Sequence, residues 1–258
     1  MKLLFIGDIV GSTGCAFAEK AVRKLKQSEK IDIVAVNGEN SAEGNGINSS
    51  SYAELSRFAD VITTGNHAFR RREFYDCYDQ YDRLLRPANY AEGVAGKGIV
   101  TLDMGSYSFT IVNLMGTAFM QPLENPFHCM ERLLKTIPTR NILVDIHAEA
   151  TSEKKAMGFF LDGKVSAVIG THTHVQTADE AILPNKTAYI TDVGMCGASL
   201  SVLGVKPEQA IHKQMYNIPV TFETAGGDME MGAVMIEINE KTGRAVSIRR
   251  ILIKEKEV

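Results

Sequence analysis

The chain has 258 residues, 45% hydrophobic and 23% charged, a globular composition at a length that fits one large α/β domain or two small ones. Its formal net charge of −3 argues against a protein that wraps long nucleic acid through a general basic surface. Cysteines at 15, 77, 129 and 196 show neither zinc-ligand spacing nor a disulfide pattern, and no apolar stretch is long enough to span a bilayer, so a soluble cytoplasmic protein without a membrane partner is expected.

Residues 2–7 form the first predicted strand, an apolar run too short for a signal peptide and closed by Asp8. A helical period follows over 15–28, then a strand over 31–37, a helix over 50–58 and a strand over 60–64. Residues 72–81 again have helical spacing, and 99–103 and 108–115 read as strands. Three further pairs alternate helix and strand: 126–136 with 141–146, 152–161 with 165–170, and 207–216 preceded by 187–192. Pro207-Glu208 suits the first turn of that last helix. Residues 232–239 and 245–253 predict a hairpin through the turn at 239–243. Without repeat or linker, the economical reading is one domain over 1–258, an α/β sandwich in layers.

The polar residues able to hold a metal sit where these apolar runs stop. Asp8 follows the first run, Glu39-Asn40 the second and Asn66-His67 the third; later runs deliver His147-Ala148-Glu149 and His172-Thr173-His174. Polar groups at the carboxyl ends of neighbouring strands converge on one sheet edge, where open α/β folds place their ligands. Carboxylate, amide oxygen and imidazole together suit Mn²⁺, Fe²⁺ or Zn²⁺. Taken singly, each has a plainer reading: Asp8 as a helix N-cap, Asn66 as a turn residue, Glu39 as a solvated acid, His147 as a core imidazole. Five strand ends together outweigh these readings. Gly7, Gly11 and Gly14 lack the spacing of a dinucleotide fingerprint.

Gly7-Asp8, Gly38-Glu39-Asn40, Gly65-Asn66-His67, His147-Ala148-Glu149 and Gly170-Thr171-His172-Thr173-His174 resemble, in order, the motifs of calcineurin-like metallophosphoesterases. Arg86-Pro87-Ala88-Asn89, the segment 147–154 and the segment 171–179 are most similar to the YmdB-like branch of bacterial phosphodiesterases, and the likeness spans essentially the whole chain. The resemblance implies an αββα sandwich and two metal ions bridged by Glu39. Asp8 and His174 would complete one ion with Asn40 nearby, and Asn66, His147 and His172 the other. It implies hydrolysis of 2′,3′-cyclic nucleotides or related phosphodiesters by a metal-bridging hydroxide, with His67 as catalytic proton donor to the leaving group. The metals would be iron or manganese, with zinc as the alternative.

Two departures stand out. Asp8-Ile9-Val10 has no histidine where the wider superfamily carries Asp-x-His, and the bridge is glutamate rather than aspartate. Arg70-Arg71-Arg72 follows the third motif in place of a tryptophan and an acid, either as a basic substrate rim or as a solvated helix start. Glu149 and Asp192 are candidates to orient ligand histidines. The alternatives are a phosphomonoesterase on the same metals and a regulatory protein that binds nucleotide or RNA. The residues leave open an RNA partner and a homo-oligomer.

Overall fold

The computed structural model describes residues 1–257. In chain order it runs β1 (Lys2–Ile6), β2 (Asp8–Ile9), α1 (Gly11–Ser28), β3 (Ile33–Asn37), α2 (Ser49–Leu55), β4 (Val61–Thr63), a 3₁₀ helix (Arg72–Asp79) and β5 (Leu84–Leu85). It continues with β6 (Ile99–Asp103), β7 (Ser108–Met115), α3 (Pro126–Leu134), β8 (Ile142–His147), α4 (Thr151–Leu161), β9 (Ala167–Thr171), β10 (Ala181–Ile182) and β11 (Ala188–Ile190). β12 (Met195–Ala198), α5 (Pro207–Tyr216), the long hairpin β13 (Met229–Asn239) and β14 (Arg244–Lys254), and a terminal 3₁₀ turn close the chain.

The strands form two sheets. One has the order β2-β12-β13-β1-β3-β4-β5 with β14 flanking β13, the other β10-β11-β9-β8-β7-β6. β1, β3, β4 and β5 run parallel in the first, and β7, β8, β9 and β11 in the second. Side chains alternate across each strand, and the burial follows. Leu4, Ile6, Val34 and Val36 pack beneath α1, while Leu3, Phe5, Ile33 and Ala35 face Phe109, Ile111, Leu143 and Ile169 of the other sheet. Val112, Val144, Ile146 and Val168 turn outward to Met130 of α3 and to Met157 and Leu161 of α4. The result is helix, sheet, sheet, helix, the expected αββα sandwich. Burial on both faces explains why the strands read as continuous apolar runs. Each aromatic ring closed between the sheets contributes about 1.5–3 kcal/mol by burial.

Several local expectations need correction. α1 begins at Gly11 rather than 15, because Gly14 lets the helix press on β12: a Cβ there would lie 2.6 Å from the Cys196 carbonyl. The segment from 72 is a 3₁₀ helix, not an α-helix. β2, β5, β10 and β12 have two to four residues each, too few to show a period. No helix among the described residues is long and apolar enough to cross a membrane. α5 buries only Ala210, and the segment around it carries Leu203, Val205 and Phe222 back toward the strand ends.

Candidate metal centre

Asp8, Glu39, Asn40, Asn66 and His67 arrive from the first sheet, and His147, His172 and His174 from the second. They meet at the carboxyl ends of the parallel strands, across the line where the sheets face each other. Asp8, Glu39 and His147 are 0%, 1% and 0% exposed, so their charges have to be satisfied from within the cluster.

One group is tight. His147 Nε2 lies 3.0 Å from Asn66 Oδ1, 3.1 Å from Glu39 Oε1 and 3.1 Å from His172 Nδ1. Ligand atoms roughly 2.0–2.2 Å from a common ion lie about 3 Å from one another, so these four have the spacing of a coordination shell. Beside them, Asp8 Oδ1 is 3.6 Å and the Asn40 amide 3.1 Å from His174 Nε2. Asp8 Oδ2 accepts the His172 backbone N–H at 3.1 Å, but Oδ1 is buried with no hydrogen-bond partner among the described residues. An unpaired buried carboxylate oxygen is costly, and a cation would satisfy it. On this test the residues fit divalent ions bound through nitrogen and oxygen.

The far side of each imidazole fixes which nitrogen faces the cluster. His147 Nδ1 is 2.9 Å from Thr171 Oγ1, and that hydroxyl donates to Asp145 Oδ1 at 2.8 Å. Its only free role toward the ring is acceptor, which keeps the His147 proton on Nδ1 and the lone pair on Nε2. His172 Nε2 is 2.9 Å from Glu149 Oε2, and His174 Nδ1 is 2.9 Å from the Leu203 carbonyl. Both partners accept, so Nδ1 of His172 and Nε2 of His174 present lone pairs inward. His172 and His174 reach these positions with left-handed backbone, φ 101° and 65°. Gly65 has no room for a side chain: a Cβ would collide with the His147 ring and Glu39 Oε2.

The electrostatics favour positive charge here. Burial pushes the Asp8 carboxyl up, but His174 and His147 outweigh it and hold the group well below the usual carboxylate range. Burial likewise opposes ionised Glu39, and His147 again wins, lowering it. Burial alone would depress His147, yet Glu39 and Asp8 lift it to about 9. Burial and the nearby His147 charge lower His172, whereas the Asp8 contact overcomes burial and raises His174. Asp145 is pushed up to about 6 by burial.

His67 stands beside the tight group. Its backbone N–H donates to Glu39 Oε2 at 3.1 Å, and its Nδ1 lies 2.9 Å from the Asn40 amide and 3.4 Å from Glu39 Oε1. Burial lowers its pKa against the pull of Glu39. The plainer readings fail: the N-cap of α1 is Val10 without a side-chain bond, Glu39 is not solvated, and Asn66 bonds His147 rather than its own turn.

Glu149 orients His172 as expected, but Asp192 touches no imidazole. It accepts the Thr173 backbone N–H at 3.0 Å and hydroxyl at 2.8 Å, and pairs with fully buried Lys154 at 2.7 Å. The three arginines part company as well. Arg71 donates to the Asn45 and Ala42 carbonyls at 3.0 and 2.7 Å, Arg72 starts the 3₁₀ helix in solvent, and Arg70 lines a recess with His67. Sequence reasoning missed Asn37, Asp145 and Thr171, which form the polar support under His147. Their signal is a polar residue inside or closing an apolar strand.

The chain is similar over its length to known proteins. The family model for YmdB-like protein matches residues 4–251. A Bacillus subtilis (strain 168) protein named 2′,3′-cyclic-nucleotide 2′-phosphodiesterase is 45% identical over 258 residues, 99% of this chain and 98% of that one. A solved structure described as a novel phosphatase of Mycoplasma pneumoniae superposes with TM-score 0.94 at 33% identity, covering 98% of this chain and 93% of its own. A hypothetical protein of Thermus thermophilus gives TM-score 0.93 at 38% identity, with 99% and 100% covered. From the site, the sandwich and these likenesses, the chain belongs to the YmdB-like family and is a phosphoester hydrolase of the metallophosphoesterase type.

Proposed function

We propose that the chain is a phosphodiesterase that opens 2′,3′-cyclic nucleotides with two divalent ions, iron or manganese in preference to zinc. Asn66, His147 and His172 would hold one ion, Asp8, His174 and Asn40 the other, and Glu39 would be shared between them. The observation that carries this reading is the unpaired Asp8 Oδ1 facing His174, next to three imidazoles whose outer nitrogens are all engaged by acceptors. The Bacillus subtilis relative, named for action on 2′,3′-cyclic nucleotides, supports the substrate. Four free thiols accord with a reducing cytoplasm.

Bound here, the ions supply an activated water near neutral pH and neutralise phosphoryl charge. The chain's own residues do the rest. Water oxygen joins phosphorus, the bond from phosphorus to the ribose 2′ oxygen breaks, and that oxygen takes a proton, leaving a 3′-phosphate. His67 is placed to give the proton. Asn40 Oδ1 accepts from His67 Nδ1 at 2.9 Å while Asn40 Nδ2 faces His174 Nε2 at 3.1 Å, so Nε2 at the rim is the His67 nitrogen left to carry the donated proton. Asn40 thus links His67 to His174 and holds the His67 ring in place.

A departing ribose alkoxide needs that proton, whereas nitrophenolate does not. His67→Ala is expected to lower kcat on adenosine 2′,3′-cyclic phosphate by ~10²–10⁴-fold and on bis(4-nitrophenyl) phosphate by less than about 10-fold. Metal content by elemental analysis should stay unchanged. Equal losses on both esters would remove the donor role, and loss of metal would make His67 a ligand.

A further inference from the structure

On the outer side of His67 lies a recess of about 500 Å³ that no ligand residue of the cluster lines. Its walls include Val205, Val220 and Phe222 from the segment around α5, with Asn45 and Arg70 from the first sheet's loops. Phe222 is 39% exposed and has no aromatic partner among the described residues. The Lys213 ammonium lies 5.1 Å from its ring centroid, and the ring is part of the recess lining. The Asn45 and Arg70 side chains make no hydrogen bond or ion pair among the described residues, so their donors are free. The loop that presents Asn45 is fixed from behind by the Arg71 guanidinium on its carbonyls.

Chemistry sets which part of the substrate enters. The phosphoryl group belongs at the cluster, and the departing oxygen faces His67, so whatever is attached to that oxygen continues beyond His67 into the recess. In a 2′,3′-cyclic nucleotide this is the nucleoside. A flat aromatic wall with aliphatic neighbours and unpaired donors at its edge matches a base, whose π-face is apolar and whose edge is polar.

We infer that this recess is the nucleoside subsite, with the base stacked on Phe222 between Val205 and Val220 and its edge within reach of Asn45 and Arg70. The inference rests on the cyclic-nucleotide reading above. Stacking of this kind is sequence-tolerant, so the subsite selects nucleotides as a class over phosphodiesters without a base.

The test compares adenosine 2′,3′-cyclic phosphate with methyl riboside 2′,3′-cyclic phosphate, which keeps the reacting ring and lacks the base. The parent enzyme should show a KM for the adenosine ester lower by ~5-fold or more, the smaller end of what one stacked base contributes. Phe222→Ala should abolish that difference by raising the KM for the adenosine ester, with metal content unchanged. Phe222→Tyr, which keeps the ring, should retain it. A base preference that survives Phe222→Ala would overturn the inference. Should the parent open neither ester, the cyclic-nucleotide reading is what fails. Calorimetric binding of adenosine 3′-phosphate against methyl riboside 3-phosphate to the metal-loaded parent and Phe222→Ala proteins then decides the subsite by the same criterion.

Discussion

Glu39 engages two histidines of the cluster with its two carboxylate oxygens. Its Oε1 faces His147 Nε2 and the His67 ring, while Oε2 accepts the His67 backbone N–H. On the proposed assignment Glu39→Ala removes the shared metal ligand, and it also unhooks His67. Metal content measured after purification should drop from about two ions to below one, and kcat should fall by at least ~10²-fold. Two ions retained in the variant would show that another group bridges. At this scale the sequence is informative where a polar residue follows an apolar run, as Asp8, Glu39, Asn66 and His147 do. It is mute where the supporting group lies elsewhere: the Leu203 carbonyl on His174 comes from 29 residues away and, being backbone, leaves no trace in side-chain identity. Asp145 is visible as a lone acid within Ile142–His147, yet only the pairing of β8 with β9 shows that Thr171 hands its charge to His147.

The loop after β9 is held by an ion pair rather than by its own residues. Lys154 in α4 reaches Asp192, which gathers the Thr173 N–H and hydroxyl between the two histidines and also accepts the Gly194 N–H at 2.8 Å. Lys154 and Asp192 are both 0% exposed. Breaking such a pair strands a buried charge, so Lys154→Met is expected to destabilise the fold by ~3–5 kcal/mol in chemical denaturation. Lys154→Met with Asp192→Asn should recover part of that loss, since no charge remains to be stranded. A single variant as stable as the parent would mean that solvent reaches Asp192. At the level of elements, long buried strands and α4 are legible because their apolar spacing persists for several residues. β12 and β2 are not, because they are defined by pairing with distant strands: β2 with β12, 187 residues apart at Met195↔Asp8, and β12 with β13. The early start of α1 is hidden for a similar reason: Gly11-Ser12-Thr13-Gly14 favours a turn by propensity, and contact with β12 overrides it.

Across the molecule, the cluster joins two sheets whose other contact is mostly the apolar layer between them. Ligands drawn from both sheets make metal binding a cross-brace, and anything that binds only the folded state stabilises it. Chelation is expected to lower Tm by about 6–12 °C, from ~3 kcal/mol of linkage at metal a hundredfold above Kd and roughly 2–4 °C per kcal/mol at this size. Re-addition of Mn²⁺ should restore it. A Tm indifferent to both treatments would contradict a site that spans the sheets. The sandwich itself is legible from its apolar runs, whereas the division of ligands between sheets depends on strand order, which no single segment encodes. Left-handed backbone at His172 and His174 gives this brace a second side. Each non-glycine residue in that conformation costs about 1–2 kcal/mol, a penalty glycine would avoid. A designer easing backbone strain alone would write glycine at both positions. The relieved backbone would come at the loss of both imidazoles, and with them the proposed brace between the sheets.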